Sequence, residues 1–331
     1  MVGGIQDQIK TFYRGKTVLI TGASGYIGWN IIQALSEIDC TILRFSRDKD
    51  KLEKIDKRAE IVDIEGEYQD QMIWNKIING VDIIFHLAAQ TSVYKAEEDP
   101  SEDYKSNVLP MRFLLEACRK KGKKPAVVYS GTSTQCGLTD KIPVNENISD
   151  RPITFYDFHK LLAEQHLKYY ARGGWVKGAS LRLTNVYGPG PKTNSADRGI
   201  LNKMIKKALQ AEELTVYGPG NFIRDYIYVE DVIFAFLMIS LKIEDVNEKH
   251  FVVGTGKGCT VCSAIKLVAE LVGKRIQKDI IVRHLEAPSG LMPIEFRNFT
   301  ANVDMLNKLT GWKAKHSLEK GIIKTIEFFQ N

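Results

Sequence analysis

Tyr156 and Lys160 stand four residues apart, downstream of a hydroxyl-rich run, Gly131–Gly137 (GTSTQCG). Residues i and i+4 share a helix face, and the stretch from Tyr156 through Tyr170 reads as a helix. A free tyrosine titrates near pH ~10, too high to release its proton readily at neutral pH. A nearby ammonium favours the phenolate and brings it towards acid–base range. The same lysine can hold a ribose hydroxyl of a nicotinamide nucleotide. A Ser or Thr at a strand end can hold the substrate oxygen whose proton moves. A hydride acceptor, a proton shuttle and an oxygen clamp are what alcohol–ketone interconversion needs. The YxxxK spacing alone is common in helices, so the elements around it must carry the argument.

The strongest of these is Thr17–Gly28 (TVLITGASGYIG). A short apolar, β-branched strand breaks into Gly22, Gly25 and Gly28, and the apolar spacing of Trp29–Leu35 opens a helix. Strand, glycine turn and helix in that order form an anion cradle, because helix N-terminal N–H groups point at a diphosphate. The spacing is GxxGxxG rather than GxGxxG, and a purely structural turn is the alternative. A second strand, Cys40–Phe45, runs into Ser46-Arg47-Asp48, where a dinucleotide's adenosine ribose belongs. An acid there suits a ribose hydroxyl, whereas basic residues suit a 2′-phosphate. Arg44, Ser46 and Arg47 precede the nearest acid, Asp48, so NADP(H) is favoured over NAD(H).

Glu60–Ile64 reads as a third strand whose Asp63 could reach the adenine edge. Val81–Ala89 (VDIIFHLAA) reads as a fourth, ending in small residues that let a flat cofactor approach closely. His86 within it reads as structural rather than catalytic. A helical stretch over about 100–120 leads to a strand at Ala126–Ser130. Strand and helix thus alternate through the first 130 residues, which predicts an α/β fold with a parallel, doubly wound sheet.

The 331 residues suffice for one large domain or two intimate ones. Lys plus Arg exceed Asp plus Glu by 46 − 40 = 6, a mild basic excess that suits anionic small ligands. The run RKKGKK at 119–124 follows an apolar helix and reads as a solvated turn, not a nucleic-acid site. Cys259 and Cys262 form a lone CxxC without a second pair, and no metal site is expected. No apolar stretch reaches the ~18–20 residues of a membrane span. The first residues hold a short amphipathic helix rather than an apolar signal core, so a cytoplasmic protein is expected.

With TGASGYIG, HLAAQTSV, GTSTQCG, YDFHK, LRLTNVYGPG and RDYIYVEDV in this order, the chain resembles the extended short-chain dehydrogenase/reductase family. The likeness is greatest to its nucleotide-sugar epimerases, dehydratases and ketoreductases, and runs from about Lys16 to the C-terminus. It implies a Rossmann-type doubly wound sheet with a smaller, interleaved α/β substrate domain. The expected division is 14–186 with about 226–255 for the cofactor, and about 187–225 with 256–331 for the substrate.

The resemblance makes Tyr156 the acid/base and Lys160 its partner on the nicotinamide ribose, with Thr132 the catalytic hydroxyl. It places Ser24, Tyr26 and Ile27 at the pyrophosphate, Asp63 and Ile64 at the adenine, and Leu87, Ala88, Ala89 and Asn107 beside the cofactor. Thr91, Thr132, Asn185, Arg198, Tyr217 and Arg224 fall at positions that hold a nucleotide-diphosphate sugar. The region Ala287–Phe299 departs from the family pattern, and Arg297 is an uncertain second phosphate ligand. Ser133 and Thr134 stand where the family's 4,6-dehydratases carry an acid pair, which disfavours dehydration. The implied reaction is hydride transfer at C4, as a 4-epimerase or 4-ketoreductase, in a homodimer. The alternatives are a reductase of a non-nucleotide carbonyl and a non-catalytic dinucleotide sensor.

Overall fold

A computed structural model describes residues 2–122, 124–191 and 199–330. An amphipathic helix, α1 (Val2–Tyr13), precedes β1 (Thr17–Thr21). The chain then runs through α2 (Tyr26–Leu35), β2 (Thr41–Ser46), β3 (Glu60–Glu65), α3 (Gln71–Ile77) and β4 (Ile83–His86). Next come α4 (Val93–Glu98), α5 (Pro100–Asn107), α6 (Leu109–Lys121), β5 (Ala126–Thr132), α7 (Phe155–Arg172) and β6 (Lys177–Leu183). These six strands and the later β10 (His250–Val253) form one seven-stranded sheet, ordered β10-β6-β5-β4-β1-β2-β3. Every pairing in it is parallel, giving the doubly wound Rossmann-type arrangement.

The two-residue period of β1 divides the core. Val18 and Ile20 face Ile31 and Ile32 of α2, whereas Leu19 faces Trp74 of α3 and Leu114 of α6. The first face is sealed by α9 (Val229–Leu241), whose sequence VEDVIFAFLMISL is apolar on almost every side and almost wholly buried.

A smaller layer is built from β7 (Asn185–Tyr187), α8 (Ile200–Leu209), β8 (Leu214–Tyr217), β9 (Ile223–Tyr228), β11 (Gly258–Thr260), α11 (Val261–Ile276), β12 (Val282–Leu285) and α13 (Leu318–Gln330), whereas the short helices α10 (Ile243–Val246) and α12 (Asp304–Thr310) pack on the large sheet beside β6 and β10. A three-stranded sheet β11-β9-β7 and the pair β12-β8 pack with α8, α11 and α13 around Leu201, Ile205, Val268 and Ile322. The chain re-enters the large sheet through α9 and β10 between these pieces.

Two sequence expectations are corrected. The strand expected over 81–89 stops at His86, because the Leu87 and Ala88 N–H groups donate to the Thr21 hydroxyl instead of continuing the ladder. The helix expected over 100–120 is broken at Val108, where Pro110 has no N–H to continue the i→i−4 pattern. Arg198, expected at the nucleotide sugar, lies outside the described residues.

Candidate active site

A cavity of about 570 Å³ opens at the carboxyl ends of β1, β2, β4 and β5, where parallel sheets bind ligands. Gly22, Ser24, Gly25, Tyr26, Ile27 and Gly28 line it from the first turn. Gly22 has a φ of +66°, and a Cβ there would stand 2.9 Å from the Ala88 nitrogen. A Cβ on Gly28 would collide with the Gly22 carbonyl oxygen. Gly25 caps α2 without a side-chain acceptor, so the first N–H groups of that helix have no capping oxygen of their own. Tyr68, from the loop after β3, braces the turn. Its hydroxyl accepts the Gly22 N–H at 3.0 Å and donates to the Phe45 carbonyl at 3.0 Å.

At the end of β2, Ser46, Arg47, Asp48 and Lys51 line the wall. The Ser46 hydroxyl lies 3.2 Å from that of Ser24, tying this strand end to the glycine turn. Arg44 and Asp63 take another place. The buried Arg44 guanidinium binds Asp63 through two hydrogen bonds, at 2.6 and 2.7 Å, and donates to the Glu53 carbonyl at 2.7 Å. Each is the other's partner across β2 and β3, and neither they nor Ile64 lines the cavity.

Leu87, Ala88, Ala89 and Thr91 form the wall beyond β4. The Thr21 hydroxyl accepts N–H groups from Leu87 and Ala88 at 3.0 and 3.1 Å, which occupies both lone pairs. It therefore donates to His86 Nδ1 at 3.0 Å and fixes the imidazole proton on Nε2. Burial, and then the Lys160 charge, depress the His86 pKa to about 3, so the ring is neutral and structural. Asn107 stands behind the wall, donating to the Gln90 carbonyl at 3.1 Å and to Asp103 at 2.9 Å.

Tyr156 and Lys160 both reach the cavity from the same face of α7, which Thr154 caps by accepting the Asp157 N–H. The Lys160 ammonium lies 4.4 Å from the centre of the Tyr129 ring. Burial lowers its pKa to about 7, against the opposing pull of Asp103 and Glu164. Glu164, one turn further on, is itself buried, which alone would raise its pKa. The Arg182 guanidinium at 2.7 Å outweighs that and holds the carboxyl far below the ordinary range. Thr132 ends β5 half-buried, with its N–H on Gln135 Oε1 at 2.9 Å, and Ser130 contributes that strand's share of the wall.

On the opposite side Asn185 lines the cavity beside Thr184, Tyr187 and Tyr226. The Tyr187 hydroxyl donates to the Leu318 carbonyl at 3.1 Å, and Gly321 leaves the space that this ring requires. Tyr217 is exposed at the end of β8 and does not line the cavity. Arg224 is buried. It donates to the carbonyls of Glu295 at 2.7 Å, of Ile223 at 3.1 Å, and of Arg297. Burial, and then the neighbouring Arg297, lower its pKa to about 10. Arg297 is half-buried, bonded to the Ile294 carbonyl at 2.8 Å, with no partner for its Nε. Neither guanidinium forms a salt bridge with a carboxylate among the described residues.

Sequence reasoning missed Tyr68, Lys51, Thr184 and Tyr226 on the wall. Ser130 had a signal, since it adjoins the hydroxyl-rich run. Tyr68 had none, because its role depends on the course of a loop. No helix among the described residues is long and apolar enough to cross a membrane, and no group of three metal-ligating side chains occurs among them.

The geometry agrees with what the chain resembles. Residues 18–254 match the model of the NAD dependent epimerase/dehydratase family. A putative UDP-glucose 4-epimerase of Methanocaldococcus jannaschii is 30% identical over 318 residues, 95% of this chain and 98% of that protein. The crystal structure of UDP-glucose 4-epimerase from Thermotoga maritima, with UDP-glucose, is 28% identical and superposes with a TM-score of 0.83, covering 95% and 98% of the two chains. The UDP-glucose-4-epimerase of Stenotrophomonas maltophila, with bound NAD and formylated UDP-arabinopyranose, is 25% identical, with a TM-score of 0.84 and coverage of 95% and 98%. With more than half of its length matched by that model, the chain belongs to the NAD dependent epimerase/dehydratase family.

Proposed function

We propose that this protein is a nucleotide-sugar 4-epimerase that takes a uridine-diphosphate sugar and works with a nicotinamide dinucleotide. The observation that carries the reading is the convergence of Tyr156 and Lys160 on the cavity that the glycine turn also lines. The residues fit the dinucleotide: the uncapped start of α2 and the two glycine positions leave room and N–H groups for its pyrophosphate. Leu87, Ala88 and Ala89 offer a close, small-residue wall to its flat ring. When bound, the cofactor supplies the hydride acceptor for C4.

The chain's own residues do the rest. Tyr156 takes the proton of the C4 hydroxyl, and Lys160, while charged, favours the phenolate that accepts it. Thr132 and Ser130 hold the oxygen. Arg224, buried, and Arg297, half-buried, have no carboxylate partners among the described residues and suit the diphosphate of the sugar nucleotide. Ser133 and Thr134 offer no acid to protonate a leaving hydroxyl, which favours epimerisation over dehydration.

Ser46, Arg47 and Lys51 at the end of β2 favour a 2′-phosphate and hence NADP(H). That same wall gives the second reading some weight, namely a ketoreductase that exchanges its cofactor. Exposed aromatics on α5 and α7, Tyr104, Phe158 and Tyr169, support a homodimer joined through those helices. Sedimentation at micromolar concentration tests that state, a monomer mass being the adverse result.

The test of function is to incubate the protein with UDP-glucose, UDP-galactose, their uronic and N-acetylated counterparts and, with NADPH, a UDP-4-keto sugar, separating the sugars afterwards. Redistribution to the 4-epimer without net NAD(P)H consumption supports the epimerase. Consumption of NADPH only with a 4-keto sugar supports the reductase, and no turnover of any sugar overturns both.

A further inference from the structure

Asp103 of α5 is buried behind the wall of the cavity and does not line it. Three N–H donors converge on its carboxyl group. Oδ1 accepts from Gln90 Nε2 at 2.7 Å and from Asn107 Nδ2 at 2.9 Å, and Oδ2 accepts from His159 Nδ1 at 2.7 Å. Gln90 stands between Ala89 and Thr91, which line the cavity, and His159 immediately precedes Lys160, which lines it from α7. One carboxyl group therefore spans from the wall beyond β4 to the helix that carries Tyr156 and Lys160.

The donors around it fix its charge. A backbone carbonyl only accepts, and each amide NH₂ has two protons to give. Gln90 Nε2 gives one to the Ser92 carbonyl at 2.8 Å, and Asn107 Nδ2 gives one to the Gln90 carbonyl at 3.1 Å. In both amides the second proton then points at Oδ1, which has no place for a proton of its own. On the Oδ2 side the shared proton sits on the imidazole, the more basic of the two groups. Asp103 is thus held as a carboxylate, and its charge favours the ammonium form of Lys160.

We propose that Asp103 is a positioning residue that ties the cofactor wall to α7 and keeps Lys160 charged. This rests on the reading that a nicotinamide dinucleotide occupies the cavity. The other titratable groups facing Lys160 are Glu164 and Tyr156 on α7, the neutral His86 of β4, and Tyr129 of β5. Burial keeps Tyr129 protonated, so Asp103 and Glu164 are the two carboxylates of the set. Glu164 is already shared between Arg182 and Lys168. The ion partner of Asp103 among the described residues is His159, which carries charge only when protonated. Lys160 supplies the lasting counter-charge.

The test uses D103N, which keeps the shape and removes the charge, and Q90A, which cuts the tie to the wall and keeps the charge. The Lys160 ¹³Cε signal, identified by its loss in K160M, is titrated in the protein without ligand. In D103N its midpoint is expected to fall by about one pH unit, as an attracting carboxylate is lost. A merely structural role has the opposite sign, since a loosened site admits water and raises the midpoint towards the ordinary lysine value. An unchanged or raised midpoint in D103N overturns the proposal. In Q90A the affinity for NADH and NADPH, read by fluorescence, should fall about tenfold through loss of the bond to the carboxylate. Wild-type affinity in Q90A overturns the proposal too, and decides it alone should D103N not fold. Failure of the wild type to bind either dinucleotide refutes the functional reading, and the D103N titration still decides whether Asp103 holds the lysine's charge.

Discussion

The Lys160 ammonium rests 4.4 Å from the centre of the Tyr129 ring, and the same ring stacks on His86 with centroids 6.0 Å apart. A desolvated cation over an aromatic face gains on the order of 2 kcal/mol. Y129L removes that support and lowers the Lys160 pKa further below about 7. Less of the ammonium is then present at neutral pH to favour the Tyr156 phenolate. The expected result is a lower kcat at pH 7.5 and a basic limb displaced to lower pH, read from a pH–rate profile. An unmoved limb would show that the ring does not tune the lysine.

Lys160 also predicts a proton linked to cofactor binding. Its folded pKa lies below the ordinary 10.5, so between about 7 and 10.5 the unfolded chain carries a proton that the folded protein lacks. For this group, stability therefore rises with pH across that window. Ribose hydroxyls at the ammonium favour its charged form, so binding should take up protons there. Calorimetry at pH 8.5 in two buffers of different ionisation enthalpy measures the uptake. Identical heats would place the lysine away from the cofactor.

At the glycine turn, G28A forces a methyl group onto the Gly22 carbonyl. Overpacking of this kind costs about 1–3 kcal/mol. Dinucleotide affinity, followed by NAD(P)H fluorescence, should fall by well over tenfold. Y68F leaves the Gly22 N–H and the Phe45 carbonyl without their shared hydroxyl. The expected loss is about 1–3 kcal/mol in stability, with weakened cofactor binding, since the turn's first N–H is no longer held.

Arg47 carries the expected choice between the two dinucleotides. R47A should weaken NADPH about tenfold while leaving NADH within about twofold, as one charge-assisted bond to a phosphate is lost. Equal losses for both would assign the arginine to general electrostatics.

Arg182 joins Asp150 at 2.5 Å to the buried Glu164 at 2.7 Å, and Glu164 also takes Lys168 at 2.7 Å. R182M leaves the buried Glu164 carboxylate with Lys168 as its remaining cation, so about 1–3 kcal/mol of stability should be lost at pH 7. The Glu164 pKa is depressed in the folded protein, so its contribution is present above about 4.5 and lost as pH falls below that. The gap in melting temperature between wild type and R182M should therefore narrow in acid.

Local patterns sufficed for much of this site. The glycine turn, the small residues after His86 and the Tyr156–Lys160 spacing are each written within a few residues, and each lies on the wall. Arg44 and Asp63 read from sequence as cofactor contacts, because neither residue's spacing reveals that they face one another across β2 and β3. Tyr68 and Gln135 act over distances that only the packed loops define. The short strands β7, β11 and β12 carry too few residues to show a period. Arg224 was legible only through its motif, as a position that holds the nucleotide sugar. Its bonds to the carbonyls of 295–297 depend on a segment that departs from the family pattern.

The place of β10 and α13 has a consequence for the order in which the molecule is made. Synthesis delivers the glycine turn, the wall of β4 and the Tyr156–Lys160 helix first. The outer edge of β6 then waits for residues 250–253, and the bond that steadies Tyr187 waits for Leu318. A nascent chain can thus shape the dinucleotide half while the ribosome still holds the remainder. The wall that carries Tyr187 is steadied by a segment made long after the glycine turn, so the two sides of the cavity are completed at different times.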